Sequence, residues 1–90
     1  MNFGTKKILI VDDSNTNVVL LEAILKNRGY NILTAMTVKD AFFILESELP
    51  QLILLDLLMP NVNGFQFLEE IKKKEVTRDI PVIVVSAVSD

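Results

Sequence analysis

Three aspartates carry the chemistry that this sequence makes available. Asp12 and Asp13 close an apolar run, Ile8-Leu9-Ile10-Val11, and Asp56 closes another, Leu52-Ile53-Leu54-Leu55. Short, unbroken aliphatic runs of this kind suit strands buried on both faces of a parallel sheet. In such a sheet the carboxyl ends of the strands share one edge. Acids from separate strands can therefore converge there, where ligands of α/β proteins bind. The chain has no histidine and no cysteine, which removes imidazole catalysis, thiolate ligation and disulfides and leaves the work to carboxylates.

The elements that must position these acids are legible as an alternation. Lys6 to Val11 reads as a first strand. A helix from about Asn15 to Arg28 follows, with Val18, Leu21, Ile24 and Leu25 at helical spacing. Gly29 is its expected stop, because glycine reaches left-handed dihedrals freely and Lys26 and Arg28 suit a helix C-terminus. Asn31 to Ala35 is a second, weaker strand. Thr37 with Asp40 three residues on resembles a capping box for a helix that buries Ala41, Phe42, Ile44 and Leu45. Pro50 separates that helix from the third strand. From Gly64, the spacing of Phe65, Leu68 and Ile71 predicts a third helix, and Pro81 opens a fourth strand, Val82 to Val85. The order β-α-β-α-β-α-β implies a parallel sheet with right-handed crossovers.

Ninety residues with a net charge of −3 allow one small domain, near the lower size limit for a self-sufficient core. Half of the chain is apolar, but its apolar runs are far too short for a membrane span. No basic stripe serves a phosphate backbone, so nucleic-acid binding by this segment is not expected. The N-terminus lacks the long apolar region of a secretory signal, and a cytoplasmic location is the default expectation.

Asp12-Asp13 after strand one, Asp56 after strand three, Met59-Pro60 and Gly64 in the next loop, and Ser86-Ala87 after strand four occur together and in order. In this pattern the chain resembles the receiver domain of two-component response regulators over nearly its whole length. The resemblance implies a flavodoxin-like, doubly wound α/β fold with strand order 2-1-3-4-5. It implies a Mg²⁺ site and phosphoryl transfer from a histidine kinase or phosphotransfer protein onto Asp56. Asp13, Asp56 and the backbone carbonyl of Leu58 would ligate the ion, with Asp12 acting through water. Ser86 would hydrogen-bond the phosphoryl group and swing inward as a switch, Ala87 would leave room beside it, and Met59, Pro60 and Gly64 would shape the loop. Physical chemistry points the same way: crowded carboxylates demand a cation, and a hard divalent ion with octahedral oxygen coordination suits them. An apolar Leu58 cannot orient attacking water, so a long-lived phosphoryl group is expected in any full-length form.

Plainer readings stand beside these. Taken alone, Asp12 or Asp13 could serve as a helix cap, Ser86 as a loop hydroxyl, Met59 as a gap filler, and Gly64 as a turn residue. Lys72-Lys73-Lys74 reads as a solvated helix end. The family pattern continues past residue 90 with a helix, a fifth strand ending in a phosphoryl-pairing lysine, and a final helix. Residues 1–90 are thus read as the N-terminal three quarters of a receiver domain, a fragment with the expected strand order 2-1-3-4. Phosphorylation is expected to be impaired in this form. Helix one would cover one sheet face and helices two and three the other, leaving much of strands three and four bare on the helix-one side and strand four an open edge; a homo-oligomer is therefore expected. The alternative class is a non-catalytic, self-associating scaffold. A turnover enzyme is not expected: an aspartyl-phosphate hydrolase would need a second aspartate two residues beyond the nucleophile, where Leu58 stands.

Overall fold

Four short aliphatic segments build one sheet, and the two central ones, ending at Val11 and Leu55, bury side chains on both of its faces. The computed structural model describes residues 6–57 and 64–85. In chain order the elements are β1 (Lys7–Val11), α1 (Asn15–Lys26), β2 (Asn31–Ala35), α2 (Val38–Ser47), β3 (Leu52–Leu55), α3 (Gly64–Lys73) and β4 (Val82–Val84). The strands lie in the order β2-β1-β3-β4, all parallel. This is the order expected from the sequence. Chain order reverses at β1: β1 leads into α1 on one face of the sheet and its neighbour β3 into α3 on the other, so the helices cover both faces.

Register assigns the faces. Ile10 lies opposite Thr34 and Leu54, and Val11 opposite Ala35 and Leu55. Leu9, Val11, Ile53 and Leu55 face one way, packed with Ala41 and Leu45 of α2 and Phe67 and Ile71 of α3. Ile8, Ile10 and Leu54 face the other way, against Val18, Leu21 and Leu25 of α1. Each fully buried aliphatic side chain contributes roughly 1.5–3 kcal/mol of transfer free energy, so the two-sided strands are the main source of stability.

Local signals set the helix ends. Ser14 caps α1, its Oγ accepting from the Asn17 amide at 3.3 Å. At the other end Tyr30 N donates to Leu25 O and Gly29 N to Lys26 O, with Gly29 at φ +87°. These two bonds form a Schellman closure, which needs the left-handed conformation glycine supplies. The helix ends at Lys26 rather than near Arg28, since the closure takes up the last residues. Thr37 caps α2, accepting from Asp40 N at 3.0 Å.

Three expectations about packing require correction. Ile24 is exposed, so the buried face of α1 is carried by Val18, Leu21 and Leu25. Phe65 is 68% exposed, while Phe67 is buried with Ile71. The rotation of α3 is set at its first residue: a Cβ on Gly64 would come 2.7 Å from Leu57 Cδ2 and 3.3 Å from Leu57 Cα. Gly64 must therefore face inward, which brings Phe67 and Ile71 inward with it, three and seven residues on, and turns Phe65 away. Finally, β3 is not bare on the α1 side. Leu54 is buried there in one cluster with Leu52, Val85 and the α1 residues. Exposure on that side is concentrated at Ile83 of β4, which is 51% exposed.

The lysines at the end of α3 also do more than sit in solvent. Lys72 Nζ donates to the carbonyls of Arg78 and Ile80, each at 3.0 Å, and Lys74 Nζ lies 5.4 Å from the centroid of the Phe42 ring. Thr77, buried in the same turn, donates from Oγ1 to Ile71 O at 2.6 Å. Carbonyls at the end of α3 and in the turn that follows thereby find partners, and the chain is steered into β4.

Candidate functional site

The acids sit where the two central strands stop. Asp12 N donates to Ala35 O and Asp56 N to Val11 O, both at 3.0 Å, so each acid's backbone extends a ladder just as its side chain reaches the sheet edge. One carboxylate oxygen from each of Asp12, Asp13 and Asp56 lies within 4.8 Å of the other two. Asp12 is 2% and Asp56 7% exposed, whereas Asp13 is open to solvent. Two buried carboxylates and an exposed one so close together repel strongly unless a cation is shared among them.

The helix-capping alternative for the first acid pair is resolved by Ser14, which is the cap of α1. Asp12 instead accepts from Ser14 N at Oδ1 (2.9 Å) and from Asn17 Nδ2 at Oδ2 (3.4 Å). Asn17 is a site-bordering residue that sequence reasoning missed. Its signal was available: Asn17 is the third residue of α1, one turn from the acids, where a helix-borne amide can reach back to a strand-terminal carboxylate.

The donor set fits a hard divalent cation. It consists of oxygen alone, it converges, and it is partly desolvated, with one face open through Asp13. Gly64 contributes by absence of a side chain: its Cβ position lies 3.5 Å from Asp56 O as well as against Leu57, so α3 starts in contact with the segment that follows the acid. Leu58, Met59, Pro60, Ser86 and Ala87 lie outside the described residues. Among the described residues, then, the structure brings together Asp12, Asp13, Asp56 and Gly64. No helix among the described residues is long and apolar enough to cross a membrane.

Residues 8–90 match the family model of the response regulator receiver domain. The response regulator PleD of Caulobacter vibrioides is 42% identical over 81 residues, which are 90% of this chain and 18% of PleD. The chain thus spans under a fifth of that relative's length. Among solved structures, the N-terminal domain of a response regulator receiver protein from Methanoculleus marisnigri JR1 superposes with a TM-score of 0.87 at 36% identity, covering 94% of this chain and 69% of that one. The phosphorylated cyanobacterial phytochrome response regulator RcpA superposes at 0.85 with 30% identity, covering 97% and 69%. With a parallel 2-1-3-4 sheet of the flavodoxin-like type and three acids gathered at its carboxyl edge, the chain belongs to the response regulator receiver domains of two-component signalling.

Proposed function

We propose that this chain is a phosphoacceptor module that takes a phosphoryl group on Asp56 from a histidine kinase or phosphotransfer protein in a Mg²⁺-dependent reaction. The observation that carries the reading is the convergence of the Asp12, Asp13 and Asp56 carboxylates with Asp56 buried among them. Asp13, Asp56 and the backbone carbonyl of Leu58 would hold the ion directly, and Asp12 through water. When bound, the cation neutralises charge on the transferring phosphoryl oxygens. An Asp56 carboxylate oxygen attacks phosphorus in line with the leaving group. A new O–P bond forms as the P–N bond to the donor imidazole, or the P–O bond to acetate in acetyl phosphate, breaks with its electron pair. The product is an acyl phosphate. Ser86 hydrogen-bonds a phosphoryl oxygen in this reading and shifts the neighbouring surface, Ala87 leaves space for it, and Met59 and Pro60 shape the loop with Gly64. The module is a signalling acceptor in the cytoplasm rather than an enzyme turning over an external substrate.

Intact-mass spectrometry after incubation with acetyl phosphate and Mg²⁺ tests this. Slow, partial labelling by one phosphoryl group is expected, in keeping with the impaired reaction expected of this form, and it is absent in Asp56→Asn and absent with EDTA. An unmodified mass for the folded wild-type chain would sink the reading and favour a scaffold role.

A specific observation supports the self-association that accompanies either role. Among the described residues β4 is an edge strand, and Ile83 and Val84, on its opposite faces, are both exposed. An apolar strand edge of this kind favours pairing with a second copy.

A further inference from the structure

Asp12 is held from α1 on both of its oxygens. Ser14 N fixes Oδ1 through a short local turn, but that bond alone leaves the carboxylate free to pivot about it. The second contact, Asn17 Nδ2 to Oδ2 at 3.4 Å, removes the pivot. It comes from a half-buried side chain one helical turn further along, and it is not needed for the helix cap, which uses the Asn17 backbone amide on Ser14 Oγ. The Asn17 side chain therefore has the geometry of an orienting group.

We infer that Asn17 is a positioning residue for the acid cluster: its side-chain amide holds the Asp12 carboxylate in the orientation that joins Asp13 and Asp56, and so sets the affinity for the divalent cation. The inference rests on the metal-site reading above. Groups that orient a metal's ligands commonly change affinity by about 10–100-fold when removed. The long Asn17 bond, acting on a carboxylate assigned to the ion through water, belongs at the lower end.

Mg²⁺ binding to the intact chain, measured by isothermal titration calorimetry, tests it. Asn17→Ala keeps the backbone amide and has higher helix propensity, so the fold is retained, as a circular-dichroism melt will check. Its Kd for Mg²⁺ is expected to rise about tenfold. Asn17→Gln, which restores an amide on a longer arm, is expected to recover most of the affinity. If wild type binds Mg²⁺ and Asn17→Ala binds it equally well, the positioning role is overturned and the metal site stands. If Asn17→Gln falls as far as Asn17→Ala, the amide is not the cause and the role is likewise overturned. If wild type binds no Mg²⁺ while folded, it is the metal-site reading that fails, and this inference with it.

Discussion

Asp13 stands in solvent beside two carboxylates that the sheet has buried, an arrangement that costs stability whenever no cation is present. Unit charges near 4.8 Å repel by a few kcal/mol at an effective dielectric of about 20, and solvent around Asp13 reduces this to about 1 kcal/mol. Asp13→Asn is therefore expected to melt about 4–8 °C above wild type in EDTA and to lose the stabilisation that wild type gains from Mg²⁺; a thermal melt with and without the ion checks both. The aromatic pair on α3 gives a second test at this scale. Phe67→Ala should cost about 3–5 kcal/mol, whereas Phe65→Ser should stay within about 0.5 kcal/mol, as read by urea denaturation. The acids were legible in the sequence because each ends an aliphatic run, which fixes both its strand and its edge. Phe67 was not, because Phe65, Leu68 and Ile71 make an equally regular helical stripe. What separates the two stripes is the approach of Gly64 to Leu57, a tertiary contact with no local signature. Leu57 itself gave no warning, since an aliphatic residue after a buried strand reads as more core.

At the scale of elements, boundaries followed local chemistry and packing followed neighbours. Gly29 and Thr37 marked their helix ends in the sequence, since a hydroxyl cap and a left-handed glycine act within a few residues, whereas the cap of α1 was sought at Asp12 or Asp13 and falls on Ser14. The turn from α3 to β4 carried no such mark. Three lysines in a row suggested only a solvated end, yet Lys72 gathers two carbonyls and Thr77 a third. Thr77→Val tests the weight of that turn. The substitution keeps the shape, strips the donor from a buried site, and leaves Ile71 O without that partner, so a loss of about 1–3 kcal/mol is expected in chemical denaturation. The turn should also open earlier than the sheet, seen as faster amide exchange at Ile80. An unchanged denaturation midpoint would mean that water replaces the hydroxyl at no cost.

For the whole molecule, alternation and right-handed crossover were enough to place α1 on one face and α2 with α3 on the other. They overstated how bare that arrangement leaves β3, because Leu54 is buried there in one cluster with the α1 residues and Val85 packs against it. Exposure falls on β4 instead, and the prediction moves there. Light scattering across a concentration series is expected to show association, and Ile83→Lys, which puts a charge on the exposed apolar position, is expected to shift the chain toward monomer. A wild-type monomer at high concentration would remove the edge as an interface. The backbone of the site has a different consequence. Asp12 N and Asp56 N both donate to carbonyls of neighbouring strands, so the two acids are rungs of the sheet as well as its chemical edge. Hydrogen exchange at these two amides should then report the opening of the entire fold. The cluster cannot loosen one acid's backbone at a time, and for as long as the protein is folded the spacing between the two strand ends that carry its buried carboxylates is kept by the same bonds that join the strands.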